Sequence, residues 1–372
     1  MKLQALELRR IEMPLVAPFR TSFGTEVARD ILLLKAITDE CDGWGECCAP
    51  REPLYSSEYV AACEHVVRHH LLPRLLEAPE LDAARIAEIL GPVQGHRMAK
   101  AAVEMAVLDA ELRARGERLV QHLGGVRDAV DCGVSVGIYE GVSQLLEAVE
   151  GYLAAGYRRV KLKIEPGWDV VPVRAIRERF DDVLLQVDAN AAYTLADARH
   201  LARLDEFDLL LIEQPLPAEQ LRAHAELAAQ LATPICLDES IVSAAAAADA
   251  IALGACSIIN IKPSRVGGYL EARRIHDVCH AHGVPVWCGG MFETGLGRAG
   301  NVALAALPGF TLPGDISASD RYYRRDITEP FVLEEGRLRV PASPGLGVTV
   351  DEAVLREVTT EVDVVNRPGA TR

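Results

Sequence analysis

Apolar residues follow two rhythms along this chain. Over the first 125 residues, strand-like and helix-like spacings come in separate blocks. Leu6 and Leu8 flank Glu7, with Leu3 before and Ile11 after, and 31–37 continues in kind. A period of two places such residues on one face of a strand. Gly43-Trp44-Gly45 predicts a turn region in the same small sheet. Helical spacing follows over 57–77, 82–90 and 97–114, the last within the Ala-rich MAKAAVEMAVLDAELRAR.

From about residue 130 the rhythm changes. Short β-rich runs alternate with amphipathic helical stretches: CGVSVGI (132–138), RVKLKI (159–164), VLLQVD (183–188), LLLIEQ (209–214), PICLDE (234–239), SIINIK (257–262) and VPVWCGG (284–290), then a weaker FTLPGD (310–315). Such alternation predicts parallel βα units, and eight of them can close into a barrel. Helix signals agree: Thr194 with Asp197 forms a capping box, Ser243 opens an Ala-rich helix that Gly254 ends, and Gly156 ends another. Past about 320, FVLEEGRLRVP (331–341) predicts a hairpin, which would return the C-terminus to the first domain.

Composition narrows the function. Of 372 residues, 49% are hydrophobic and 25% charged, with net charge −15. An acidic chain is a poor partner for nucleic acid or an anionic membrane. No run reaches the ~18 apolar residues of a membrane span, and the start carries no secretory signal. Nine cysteines without paired spacing point to reduced thiols and a cytoplasmic location. His276, His280 and His282 cluster near a helix end and are expected on solvated surface.

The charges that end the β-rich runs are regularly spaced. Lys163 to Asp188, Asp188 to Glu213 and Glu213 to Asp238 are each 25 residues, and Asp238 to Lys262 is 24. In a parallel barrel these strand ends open on one mouth. Three carboxylates crowded there need a compensating charge. All-oxygen ligands favour Mg²⁺ or Mn²⁺, so Asp188, Glu213 and Asp238 are the expected metal ligands. The alternation in RVKLKI turns Lys161 and Lys163 to the lumen. Mutual repulsion, burial and a dication would lower a lysine pKa and allow it to act as a base, with Lys262 opposite. The chemistry this suits is removal of a proton next to a metal-held carboxylate.

These residues identify a resemblance. VKLKIEPGWD, LLQVDANAAYTL, LLIEQPL, TPICLDESI, NIKPSRVGGYLEAR, VWCGGMFETGLGRAGN and GDISASDRYY, with MPLVAPFRTSFGT and LYSSEY before them, closely resemble the o-succinylbenzoate synthase / N-succinylamino acid racemase family of the enolase superfamily. The resemblance implies an α/β fold, a modified TIM barrel (β/α)7β at 126–321 with an α+β capping domain at 1–125 that segment 322–372 joins. It implies metal-dependent dehydration of 2-succinyl-6-hydroxy-2,4-cyclohexadiene-1-carboxylate to o-succinylbenzoate in menaquinone synthesis, with racemisation of N-succinyl or N-acyl amino acids. Lys163 and Lys262 would act on opposite faces of the substrate and Lys161 would support them. Asn190, Glu239 and Arg265 would surround the metal ligands and lysines, with Arg265 tuning Lys262 or anchoring its loop. Phe19 and Phe23 on a lid, Ser135, Gly290, Met291, Tyr322 and Tyr323 would shape the substrate site. The expected partner is a small-molecule carboxylate, and the expected assembly a homo-oligomer. A dipeptide epimerase or cycloisomerase of the same superfamily, or an inert binding barrel, are the alternatives.

Overall fold

The computed structural model describes residues 1–368; residues 369–372, the end of the segment expected to rejoin the capping domain, lie outside the described residues. Two long strands open the chain, β1 (Leu3–Thr21) and β2 (Gly24–Thr38), paired antiparallel. β3 (Gly43–Cys47) pairs with β2, so the expected turn at 43–45 is strand. Its glycines serve close approach instead. A Cβ on Gly45 would stand 2.0 Å from the Ala102 carbonyl oxygen, and one on Gly43 2.2 Å from the Ala110 nitrogen. Both contacts are with the helix Arg97–Arg115, on which β3 lies flat.

The helical stretch expected over 57–77 is α-helical at Val60–Val66 and Leu72–Glu77, with a π-helical turn at Val67–Leu71 between them. Pro73 lacks the N–H that an unbroken α-helix would use, and the wider turn absorbs the fault.

After the short strand β4 (Ala129–Asp131) come seven staves: β5 (Gly133–Val136), β6 (Arg159–Lys163), β7 (Leu184–Asp188), β8 (Ile212–Glu213), β9 (Ile235–Leu237), β10 (Ile258–Ile261) and β11 (Val286–Cys288). They form one parallel sheet in chain order. The expected eighth strand at 310–315 makes only isolated bridges, Phe310 with Val286 and Gly314 with Cys132. Pro313 cannot donate to a ladder. The segment still closes the ring: Asp315 N donates to Cys288 O (2.9 Å) and Gly133 N to Gly314 O (2.8 Å).

Within 331–341 the expected hairpin is a tight turn, Glu334 and Arg337 each donating N–H to the other's carbonyl oxygen (2.9 Å), and the strand that follows, β12 (Arg337–Arg339), pairs with β4. The return to the N-terminal sheet is made later, by β13 (Thr359–Asn366) against β1. One apolar core fills the barrel and a second lies between the N-terminal sheet and its helices. The helix Arg97–Arg115 feeds both, Leu108 and Leu112 facing the first and Val103 and Val107 the second. The expected helix caps are present: Thr194 with Asp197, Ser243 Oγ accepting from Ala246 N, and Gly254 at φ +67°. His276 departs from expectation. It is buried, stacked on Phe310, and accepts from Gly309 N at 3.0 Å, so it packs the barrel wall.

Candidate active site

Strand register sets the site. Lys163, Asp188 and Glu213 are mutually paired at the ends of β6, β7 and β8. Asp238 follows β9 and Lys262 follows β10. All five side chains are buried at one mouth. Lys163 Nζ lies 2.6 Å from Asp188 Oδ2 and 2.7 Å from Asn190 Oδ1. Lys161 Nζ lies 3.0 Å from Glu213 Oε2, 3.1 Å from Asp188 Oδ2 and 2.5 Å from Asp315 Oδ2. On the far side, Lys262 Nζ lies 2.6 Å from Asp238 Oδ2 and 3.2 Å from Tyr55 Oη.

The electrostatics follow from burial and these contacts. Burial alone would lower Lys161 and Lys262. Asp315, Glu213 and Asp188 outweigh it for Lys161, and Asp238 with Tyr55 and Glu213 for Lys262, so both are held well above the ordinary lysine value. For these two lysines direct ion pairs dominate the repulsion between ammonium groups. Burial raises Asp188, but Lys163 and Lys161 overcome it and hold it below the usual carboxylate range. Glu213 is pushed up to about 8 by burial and by Asp188, against the pull of Lys161.

Among the described residues, no three carboxyl, imidazole or thiol side chains close on a common point suited to a metal. The ammonium groups stand between the carboxylates and satisfy them. The donor set nonetheless fits a hard divalent cation: three carboxylates on adjacent staves, fully buried, at the open end of a barrel.

The site gathers nearly all the expected residues. Phe19, Phe23, Ser135, Lys161, Lys163, Asn190, Lys262, Gly290, Met291 and Tyr322 line one cavity. Tyr323 does not. It is buried behind the wall, its hydroxyl donating to Phe292 O at 2.5 Å. Glu239 accepts from Asn190 Nδ2 (3.0 Å), not from a lysine. Burial and the Asp238 charge push it up to about 7. Arg265 meets Asp238 Oδ1 at 3.2 Å and the backbone oxygens of Glu239 (3.1 Å) and Ile241 (2.7 Å), so it anchors the loop after β9.

Sequence reading missed several participants. Tyr55, Phe292, Glu26, Arg29 and Asp315 also line the cavity. Asn260 Nδ2 donates to Glu213 Oε1 at 2.6 Å. Asn260 was findable, since it shares a strand face with Lys262 two residues on. Tyr55 lies in a loop without periodic signal, and Asp315 in the stave with the weakest pattern.

The hairpin between β1 and β2 brings Phe19 and Phe23 to the cavity. Arg20 O accepts from Ile138 N (2.9 Å), Ser22 Oγ donates to Ala189 O (3.2 Å), and Arg20 pairs with Glu165 at 2.7 Å. Phe19 packs edge-on against Phe292, their centroids 5.1 Å apart. Phe292 itself has φ +59°, costly for a bulky residue and held here by the Tyr323 hydrogen bond.

Comparison with known proteins agrees with this geometry. Residues 5–124 match the family described as mandelate racemase / muconate lactonizing enzyme, N-terminal domain, and residues 144–354 that described as enolase C-terminal domain-like. An N-succinylamino acid racemase from an Amycolatopsis species is 68% identical over 361 residues, 97% of this chain and 98% of the relative. An o-succinylbenzoate synthase from Geobacillus kaustophilus is 48% identical, over 97% of this chain and 96% of that one. The solved structure of an enolase-superfamily member from Listeria innocua is 41% identical, with a TM-score of 0.95 over 99% of this chain and all of its own. Fold, strand-end charges and sequence likeness converge: this chain belongs to the mandelate racemase / muconate lactonizing enzyme family of the enolase superfamily, a family of enzymes.

Proposed function

We propose that this enzyme abstracts the proton α to a substrate carboxylate, racemising N-succinyl or N-acyl amino acids and dehydrating 2-succinyl-6-hydroxy-2,4-cyclohexadiene-1-carboxylate to o-succinylbenzoate. The observation that carries the reading is the pair of buried lysines, Lys163 and Lys262, entering one cavity from opposite sides of the mouth. The names of the relatives, a racemase at 68% identity and a synthase at 48%, support both activities.

Asp188, Glu213 and Asp238 would hold Mg²⁺ or Mn²⁺. Bound there, the cation supplies positive charge against the carboxylate charge that grows as the α-proton leaves. In racemisation, one lysine takes the proton from one face and the other returns a proton to the opposite face. In dehydration Lys163 takes the α-proton and, as the resulting ammonium, returns it to the departing hydroxyl so that water leaves, while Lys262, still protonated, lies beside the accumulating negative charge. Lys161 stays an ammonium group. Asn190 and Glu239 brace the lysine side, and Arg265 braces Asp238.

Phe19 and Phe23 cover the substrate from the lid. Ser135 faces the acyl arm, and Gly290, Met291 and Tyr322 border the side chain or ring. In the same reading 1–125 with the C-terminal segment caps the catalytic barrel of 126–321, and the enzyme works in the cytoplasm as a homo-oligomer on small molecules. No helix among the described residues is long and apolar enough to cross a membrane.

The test is α-proton exchange of an N-succinyl amino acid in D₂O, followed by proton NMR with Mg²⁺ and with EDTA. Exchange that needs Mg²⁺, together with racemisation, supports the reading. No exchange and no dehydration with Mg²⁺ present would reject it.

A further inference from the structure

Asp315 has a position that the reaction described above does not use. It lies on the eighth stave, which makes isolated bridges and no ladder, and Asp315 N donates to Cys288 O there. Its two oxygens divide between two buried cations: Oδ1 is 2.6 Å from Arg159 Nη1 and Oδ2 is 2.5 Å from Lys161 Nζ. Arg159 is completely buried, and its Nη2 donates to Pro313 O at 2.7 Å. Both cations also lie over Trp287, Arg159 at 5.1 Å and Lys161 at 4.9 Å from the ring centroid.

The surrounding glycines are shaped to this row. A Cβ on Gly133 would stand 2.4 Å from the Arg159 guanidinium carbon, and one on Gly290 2.4 Å from the Asp315 carbonyl oxygen. Backbone on β5 and just past β11 is thus left bare to admit Arg159 and Asp315.

Lys161 is shared. On one side it meets Asp315, and on the other Asp188 and Glu213, two of the three carboxylates assigned above to the cation. An ammonium group lying wholly on those carboxylates would compete with Mg²⁺ for the same oxygens. We propose that Asp315 is a positioning residue that draws Lys161 toward the eighth stave and so keeps Asp188 and Glu213 open to the cation. This rests on the metal reading of the site.

The test reads Mg²⁺ affinity by calorimetry on the whole protein, with circular dichroism and melting as folding controls. Asp315→Asn keeps the shape and removes the charge. Lys161 then turns to Asp188 and Glu213, and the Mg²⁺ Kd is expected to rise about tenfold, within the range seen when groups behind metal ligands are changed. Arg159→Met leaves the Asp315–Lys161 contact in place. It should lower the melting temperature but keep the Kd within about twofold of wild type, well short of such an effect. Lys161→Met removes the competitor, so adding Asp315→Asn to it should change the Kd no further. This last pair also serves if Asp315→Asn alone does not fold.

A Kd unchanged by Asp315→Asn, equal losses in the Asp315 and Arg159 variants, or a further loss in the double variant would each overturn the proposal. Wild-type protein that binds no Mg²⁺ would instead reject the metal reading beneath it, and the two failures are told apart by that first titration.

Discussion

In the proposed reaction, Lys163 and Lys262 are the residues on which two-sided proton transfer would depend. Lys163→Ala and Lys262→Ala should each lower the racemisation rate by about a thousandfold or more, the scale of a lost general base or acid. Polarimetry on an N-succinyl amino acid measures the rate, and a parallel Mg²⁺ titration should show binding no weaker than wild type, since each change removes a cation from beside the ligands. Racemisation at near wild-type rate in either variant would end the two-base assignment. Asp238→Asn should act differently, weakening Mg²⁺ itself.

At this scale the sequence was most readable where residue and period coincide. The regular interval from Lys163 to Lys262 exists because each stave and its helix take up nearly the same length of chain. Tyr55 reaches Lys262 and Asp238 from a loop of the N-terminal layer, both at 3.2 Å, through a contact that no local pattern encodes. Tyr323 has the composition of a pocket residue, but its neighbour Tyr322 takes the inward position.

Among elements, two buried carboxylates of the N-terminal layer each meet the start of a barrel helix. Glu46 on β3 accepts from Thr294 N (3.0 Å), Thr294 Oγ1 (2.6 Å) and Gly297 N (2.9 Å), at the start of the helix Gly295–Ala305. Glu104 accepts from Tyr269 N (3.1 Å) and Leu270 N (2.9 Å), at the start of the helix Tyr269–Ala281. Burial raises both from 4.5 to about 7, more than their hydrogen bonds lower them. A carboxyl whose folded pKa is raised binds its proton more tightly when folded. Its stabilising contribution is whole below about 4.5 and is lost as pH climbs through about 7. Melting temperature should therefore decline between those values, and Glu46→Gln with Glu104→Gln should flatten the decline in calorimetric scans. An unaltered slope would mean that the helix N–H donors keep both carboxylates ionised throughout.

The glycines of β3 give a second prediction at this scale. Gly45→Ala places a methyl group against the Ala102 carbonyl, at 2.0 Å if nothing moves. Overpacking of this kind costs about 1–3 kcal/mol or more, and the urea midpoint should fall accordingly. A midpoint equal to wild type would show that β3 can lift from its helix freely. Sequence reading took these glycines for a turn because Gly-X-Gly has the same spelling whether the chain reverses or lies against a helix.

For the molecule as a whole, the parallel sheet was legible because seven staves repeat one pattern, and the eighth was overstated because Pro313 denies it a ladder. Cation binding should be visible globally. A ligand that binds only the folded state adds about 2.7 kcal/mol when present at 100 times its Kd. Saturating Mg²⁺ should thus raise the melting temperature, EDTA should reverse the rise, and Asp238→Asn should respond to neither. Equal shifts in Asp238→Asn would place the cation elsewhere.

β13 completes the N-terminal sheet from the far end of the chain, Thr359 bonding Arg9 across 350 residues. During synthesis the outer edge of β1 must wait, unpaired, until the barrel has already emerged from the ribosome. The layer that lines one side of the cavity is therefore the last to be finished, and a nascent or C-terminally clipped polypeptide would own its lysines and carboxylates before it owned a firm roof over them.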